Sequence, residues 1–241
     1  MRGLILAVQF LTRLPTPRLA DFRVEQLAGS AVWFPLVGGL IGALLAAAAW
    51  LGGQVDPWLG ALLALVVWVS VTGALHLDGL ADLADALGAA HRLEAAEARR
   101  EKLLVVLADP RLGVFGGVAL VMQLLAKLVL LMLAVKAGAY LALVVVPAWA
   151  RWGVLIWSRL PSIKPGLGER FAWRVGIGPI LVWSMLLGAA SLSALALFFA
   201  PLIVAGWWWF LSRRLGGMTG DALGAGVEWL ESLLLLGLIL A

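Results

Sequence analysis

The chain has 241 residues, 63% of them from the set AVILMFWYC and only 13% charged, with a mean hydropathy of +1.02. Soluble domains run nearer half apolar and a quarter charged, so composition excludes an ordinary soluble globule and makes this an integral membrane protein. The absence of cysteine excludes disulfides and thiolate metal sites, and a net charge of +4 reads as a topology signal, with no nucleic-acid partner implied.

In chain order, MRGLILAVQFLTRLPTP (1–17) has a charged start and a short apolar run but no A-x-A-like cleavage site. It predicts a retained helix at the membrane surface. A crossing needs about 20 mostly apolar residues. Spans are expected at 32–51, 58–75, 114–135, 139–158, 177–199, 201–211 and 228–241, the last two being short. Thirteen Trp against one Tyr suit this class, because indole rings sit well at headgroup level. The expected fold is all-α: a polytopic integral membrane protein with about six to seven transmembrane helices and charged cytoplasmic loops. With no internal repeat and no linker, residues 1–241 form a single helical membrane domain.

The segments around 12–26, 76–113, 159–174 and 212–227, with Arg2, hold every Lys and Arg except Lys127, Lys136 and Arg151. Threading seven spans puts them all on one side, which the positive-inside rule makes the cytoplasm. Among the acids only Asp56 falls on the other side. The expected location is the cell's inner (cytoplasmic) membrane, multi-pass, with the active site facing the cytoplasm. Lys127 and Arg151 fall inside spans, where snorkelling or a partner would account for them.

The stretch LHLDGLADLADAL (75–87) places Asp78, Asp82 and Asp85 four and three residues apart. At about 100° per residue they share an arc of about 60° on one helix face. Like charges so spaced repel, and a divalent cation would reverse the sign. Hard carboxylate ligands suit Mg²⁺, which takes one or two of them and completes its shell with water and substrate phosphates. The alternative is a solvated acidic face. His76 precedes the cluster as a second-rank base or ligand.

Two glycine-containing stretches lie on the same side. In DPRLGVFGG (109–117), Arg111 and the backbone N–H groups at Gly113 and Gly116 could hold phosphate oxygens; a turn packed against the next span is the alternative. In LGGMTGDALGAGVEWLE (215–231), Asp221 is either a helix N-cap or a further metal ligand. The residues alone thus reach an integral membrane enzyme with a cytoplasmic, Mg²⁺-dependent site for a phosphate-bearing substrate. Transfer of a phosphate-linked group to an alcohol and prenyl transfer from a diphosphate both stay open.

FLTRLPTP (10–17), WFPLVGGLIG (33–42), HLDGLADLADAL (76–87), DPRLGVFGG (109–117) and GGMTGDALGA (216–225) stand in an order that resembles the cobalamin synthase family, the adenosylcobinamide-GDP ribazoletransferases. Pro110 stands where that family more often has a small polar residue. The resemblance implies attack by α-ribazole, or its 5′-phosphate, on the phosphate attached to cobinamide in adenosylcobinamide-GDP, with GMP leaving. It implies Mg²⁺ on Asp78, Asp82 and Asp85, phosphate contacts from Arg111 and Arg13, and catalytic roles for Asp82, His76 and Asp221. The lipid bilayer is the other partner, and a homo-oligomer is left open. A CDP-alcohol or prenyl-type transferase is the rival enzyme, although Asp82 stands where a DGxxAR run needs arginine. A transporter would need acids inside spans and two related halves.

Overall fold

The structure, a computed structural model, describes residues 2–17, 29–91, 93–164 and 175–240. Helix α1 (Arg2–Leu11) precedes a 3₁₀ turn and α2 (Phe34–Gly53). Then come α3 (Pro57–Thr72), α4 (Leu75–Ala90), α5 (Ala96–Leu107), α6 (Val114–Lys136) and α7 (Tyr140–Trp157). The last third holds α8 (Ile177–Ala190), α9 (Ala200–Phe210) and α10 (Gly220–Leu240). The only β-pairing among the described residues is one isolated parallel bridge, Ser162 with Met218.

Among the described residues five segments are long and apolar enough to cross a bilayer: Ala31–Gly53, Val114–Lys136, Tyr140–Trp157, Leu195–Leu215 and Gly220–Leu240. A sixth candidate is α3 with α4, a pair bent by 85°. This is a polytopic membrane protein, and its outer surface says so. Val118, Val121, Met122 and Leu125 on α6, and Leu181, Val182 and Met185 on α8, are all exposed and apolar. In water such a belt would aggregate; in lipid it is the matched surface.

Helix α7 sits at the centre, buried along most of its length, and α2 crosses it on glycine. A Cβ at Gly38 would stand 2.7 Å from Ala148 Cα, and one at Gly42 would stand 2.6 Å from the Leu143 carbonyl oxygen. The pair forms a G-x-x-x-G face, which lets two backbones approach where lipid offers no hydrophobic drive for association. Indole N–H groups tie further helices: Trp157 donates to Val204 O at 2.9 Å, Trp149 to Ser191 Oγ at 3.0 Å and Trp183 to Val32 O at 2.7 Å. Several tryptophans are therefore core residues and not the interfacial ornaments that composition led us to expect.

Three expected boundaries move. The span at 177–199 stops as an α-helix at Ala190, where Ser191 and Ser193 hydroxyls bond carbonyls of the preceding turn and the chain tightens to 3₁₀. The short span at 201–211 gains length from 3₁₀ and π turns at its two ends, reaching Leu195–Leu215. The last span starts at Gly220 and not at 228, so Glu228 and Glu231, expected at its start, lie near its middle.

Gly38→Leu should destabilise the protein by about 1–3 kcal/mol through overpacking against α7, whereas Gly39→Leu meets open space and should be neutral. Thermal unfolding in detergent, followed by near-UV circular dichroism, separates them; equal melting temperatures would remove the glycine crossing as a packing determinant.

Candidate active site

The site begins at the elbow between α3 and α4. Asp56 caps α3, accepting from Trp58 N at 2.8 Å, with Pro57 at the first helical position. Gly73 ends that helix at φ +59, and Ala74 follows it into the left-handed region at φ +58. For a residue with a Cβ this conformation is strained. Two left-handed residues in sequence send α4 off the course of α3, so the aspartates of α4 leave the line of the crossing. Arg13 lies over this elbow: its N–H donates to Val71 O at 2.7 Å, and its side chain fills the space beside Gly73.

Helix α4 packs against α10. Gly79 makes the contact close, since a Cβ there would stand 2.7 Å from the Asp221 carbonyl oxygen. The acidic face of α4 therefore meets the first turn of α10. The N-cap role there falls to Thr219, whose Oγ1 accepts from Ala222 N at 3.0 Å, leaving the Asp221 carboxylate to pair with Lys164 at 3.0 Å. Asp78 is exposed, and Asp82 and Asp221 are half-buried. Burial first, then the charges of Asp221 and Asp78, push Asp82 up to about 6 from 3.8, while Lys164 opposes them.

Asp85 has a different task. Its two oxygens accept from Gly113 N at 2.7 Å and Gly116 N at 2.8 Å. It thereby caps the N-terminus of α6, a helix with no capping side chain of its own. A Cβ at Gly113 or Gly116 would lie within 3.0 Å of the Asp85 carboxyl carbon, so glycine is what gives the carboxylate room. The amides of Gly113 and Gly116, expected to face phosphate, face Asp85. Arg111 projects from the same loop, exposed, and grips Asp109 at 2.9 and 2.7 Å. Hydrogen bonds from the Arg111 side chain and backbone hold Asp109 down at about 2.

Among the described residues no three His, Cys, Asp or Glu side chains converge as a ready-made metal cage. Asp78, Asp82 and Asp221 nevertheless suit a hard cation. Carboxylates are the donors Mg²⁺ prefers, it takes only one or two, and their mutual repulsion is what a cation relieves.

Below this surface lies a network of charges buried inside the spans. Lys127 of α6 bonds Glu228 at 2.7 Å and Glu231 at 2.6 Å, and Glu231 also pairs with Arg151 of α7. Lys127 and Arg151 are 2% and 0% exposed, which rules out snorkelling and leaves the partner explanation. Gln123 donates to Glu228 Oε2 at 2.8 Å, and the Lys127 ammonium sits 4.1 Å from the Trp68 ring centroid. His76 joins at the edge, its Nδ1 3.3 Å from Arg151 Nη2. A guanidinium only donates, so Nδ1 accepts and a neutral His76 carries its proton on Nε2. That occupies the one lone pair with which the ring could act as a base. Acids inside a span were the mark expected of a transporter, but here they are matched one for one by cations. The signal was present: opposite charges in separate apolar segments.

The sequence profile of the Cobalamin-5-phosphate synthase family matches residues 3–239. Relatives named adenosylcobinamide-GDP ribazoletransferase are 53% identical in Thiobacillus denitrificans, covering 100% of this chain and 97% of the relative, and 55% identical in Laribacter hongkongensis, covering 100% and 98%. Another, in Novosphingobium aromaticivorans, is 54% identical over 98% of this chain and 95% of its own length. No solved structure matches.

A carboxyl whose folded pKa lies above its unfolded value makes the fold less stable as pH rises from about 3.8 to about 6. In metal-free buffer Asp82→Asn should therefore melt above wild type at pH 8, with the gap narrowing as pH falls through that window. A gap that does not change with pH would mean that Asp82 is not under repulsion. Asp85→Ala should instead destabilise by about 1–3 kcal/mol at neutral pH, from two amides left unpaired.

Proposed function

The chain belongs to the Cobalamin-5-phosphate synthase family, and we propose from that premise that it joins adenosylcobinamide-GDP to α-ribazole or its 5′-phosphate with Mg²⁺. The enzyme is a transferase, like its named relatives. One observation carries the reading: Gly79 lets α4 lie against the first turn of α10, gathering Asp78, Asp82, Asp221 and Lys164 at one polar end of the spans. The positive-inside pattern supports a cytoplasmic setting for that end, and an inner-membrane location goes with this reading.

In the proposed reaction the 5′-hydroxyl oxygen of α-ribazole forms a bond to the phosphorus attached to cobinamide. The bond from that phosphorus to the oxygen leaving with GMP breaks. Mg²⁺, when bound, supplies neutralisation of charge on the transferring phosphate and the leaving oxygen. Asp78, Asp82 and Asp221 are the carboxylates that would hold it. As one or two suffice, a carboxylate remains to take the hydroxyl proton, and Asp82, pushed up to about 6, is the best matched to that work near neutral pH. In this reading Arg111, exposed on its loop and paired with Asp109, and Arg13, over the elbow, are the arginines that would contact phosphate oxygens. Asp85 acts indirectly by fixing the Arg111 loop to α4.

The test is turnover by the purified protein in liposomes with adenosylcobinamide-GDP and α-ribazole, with Mg²⁺ or EDTA. Adenosylcobalamin and GMP are expected in equal amounts with the metal only, and Asp82→Asn should lose about 100-fold or more in kcat. Near-normal turnover in that variant would remove Asp82 from the chemistry, and product in EDTA would remove the metal. Arg111→Ala should raise KM for the GDP-activated substrate, or lower kcat if the contact forms only in the transition state. Unchanged kcat/KM would make Arg111 a loop residue.

A further inference from the structure

Lys164 was not singled out by any motif, yet its ammonium enters the acidic site. Nζ lies 3.0 Å from Asp221 Oδ2 and also donates to the carbonyl of Leu107 at the end of α5. Its side chain is 27% exposed, so the ammonium sits at the surface of the site. Among the described groups acting on Asp82, it is the cation that stands with Asp221, Asp78 and Asp85. Arg111, by comparison, is 86% exposed and spends its guanidinium on Asp109.

The backbone under Lys164 is held firmly. Ile163 N donates to Met218 O at 3.1 Å and Met218 N to Pro161 O at 2.9 Å, so residues 161–163 are laced to the turn that leads into α10. Gly217 makes room for this lacing, because a Cβ there would stand 2.5 Å from Ile163 Cγ2. A fixed backbone with a flexible four-carbon stem lets the ammonium swing over the site without unfolding it. An ammonium has three donors, and Leu107 and Asp221 use two. A phosphate-bearing substrate would meet net negative charge here unless cations intervene, and among the described residues Lys164 is the cation already in contact with the acidic set.

We propose that Lys164 binds the diphosphate of the substrate, its ammonium passing from Asp221 to phosphate oxygens as a divalent cation takes the aspartates. The inference rests on the transferase reading of this site. It does not require the reaction to be observed. The probe is GDP, titrated calorimetrically into the full-length protein in lipid nanodiscs with Mg²⁺. Lys164→Met should weaken GDP binding about tenfold, the loss of one charge-assisted contact, and Lys164→Arg should recover most of it.

A second arm removes the metal. In EDTA, Asp221→Asn releases the ammonium and should bind GDP more tightly than wild type; Lys164→Met added to it should erase the gain. A lysine that only tethers α5 to α10 would give no such dependence. Lys164→Met binding GDP as tightly as wild type would overturn the inference, as would a gain in Asp221→Asn that survives the second substitution, or no GDP binding by wild type. Absence of turnover by wild type with GDP binding intact would instead count against the transferase reading and leave the lysine assignment standing.

Discussion

The structure depends on Glu231 standing between Lys127 and Arg151 in a fully buried place. An uncompensated charge there is severely unfavourable, and removing one partner of such a pair typically destabilises by about 3–5 kcal/mol. The two cations come from α6 and α7 and the carboxylates from α10, so the three helices share one rotational setting and one depth. Trp68 on α3 and His76 on α4 close around the same charges. Once α10 is set in this way, its first turn can arrive against only one stretch of α4, the stretch that carries Asp78 and Asp82.

Glycine makes these arrivals close enough to matter. Gly38 and Gly42 bring α2 onto α7, and Gly79 brings α4 onto the backbone at Asp221. The same economy of volume operates at Gly113 and Gly116, where the missing side chains are replaced by the carboxylate of Asp85. Glycines that look like phosphate-loop glycines in the sequence thus serve a helix cap whose acceptor comes from elsewhere in the chain. The chemistry is similar, since amides aimed at an anion are common to both, but the anion is the protein's own.

The acids divide by environment. Glu228 and Glu231 are buried and matched by cations, and they hold helices in register. Asp85 is saturated by amides and fixes a loop. Asp78, Asp82 and Asp221 are left partly exposed, mutually repelling and only partly offset by Lys164. In the proposed reading such an unsatisfied set would draw a cation to the site, and a protein can keep one only at a surface that water reaches. The apolar outer belt and the polar end of the spans therefore meet at the site, which suits a transferase working at a membrane.

The sequence by itself determined the class: an all-helical membrane protein with its charge concentrated at one end. Apolar runs long enough to cross a bilayer are local properties, and lipid forces each run to satisfy its own backbone as helix. It also determined that Asp78, Asp82 and Asp85 share a helix face, because 3.6 residues per turn is local geometry. Tertiary structure alone decided which of them keeps a free carboxylate, since the amides that engage Asp85 lie 28 and 31 residues further on. It decided too that the last span begins at Gly220, because which cations face Glu228 and Glu231, and so let both lie in mid-span, depends on Lys127 and Arg151 of other helices. Lys164 entered the site the same way, carried there by the backbone pairing of residues 161–163 with Met218. Charge pairing and close backbone approach act between segments distant in the chain, and no local pattern records which segments will meet.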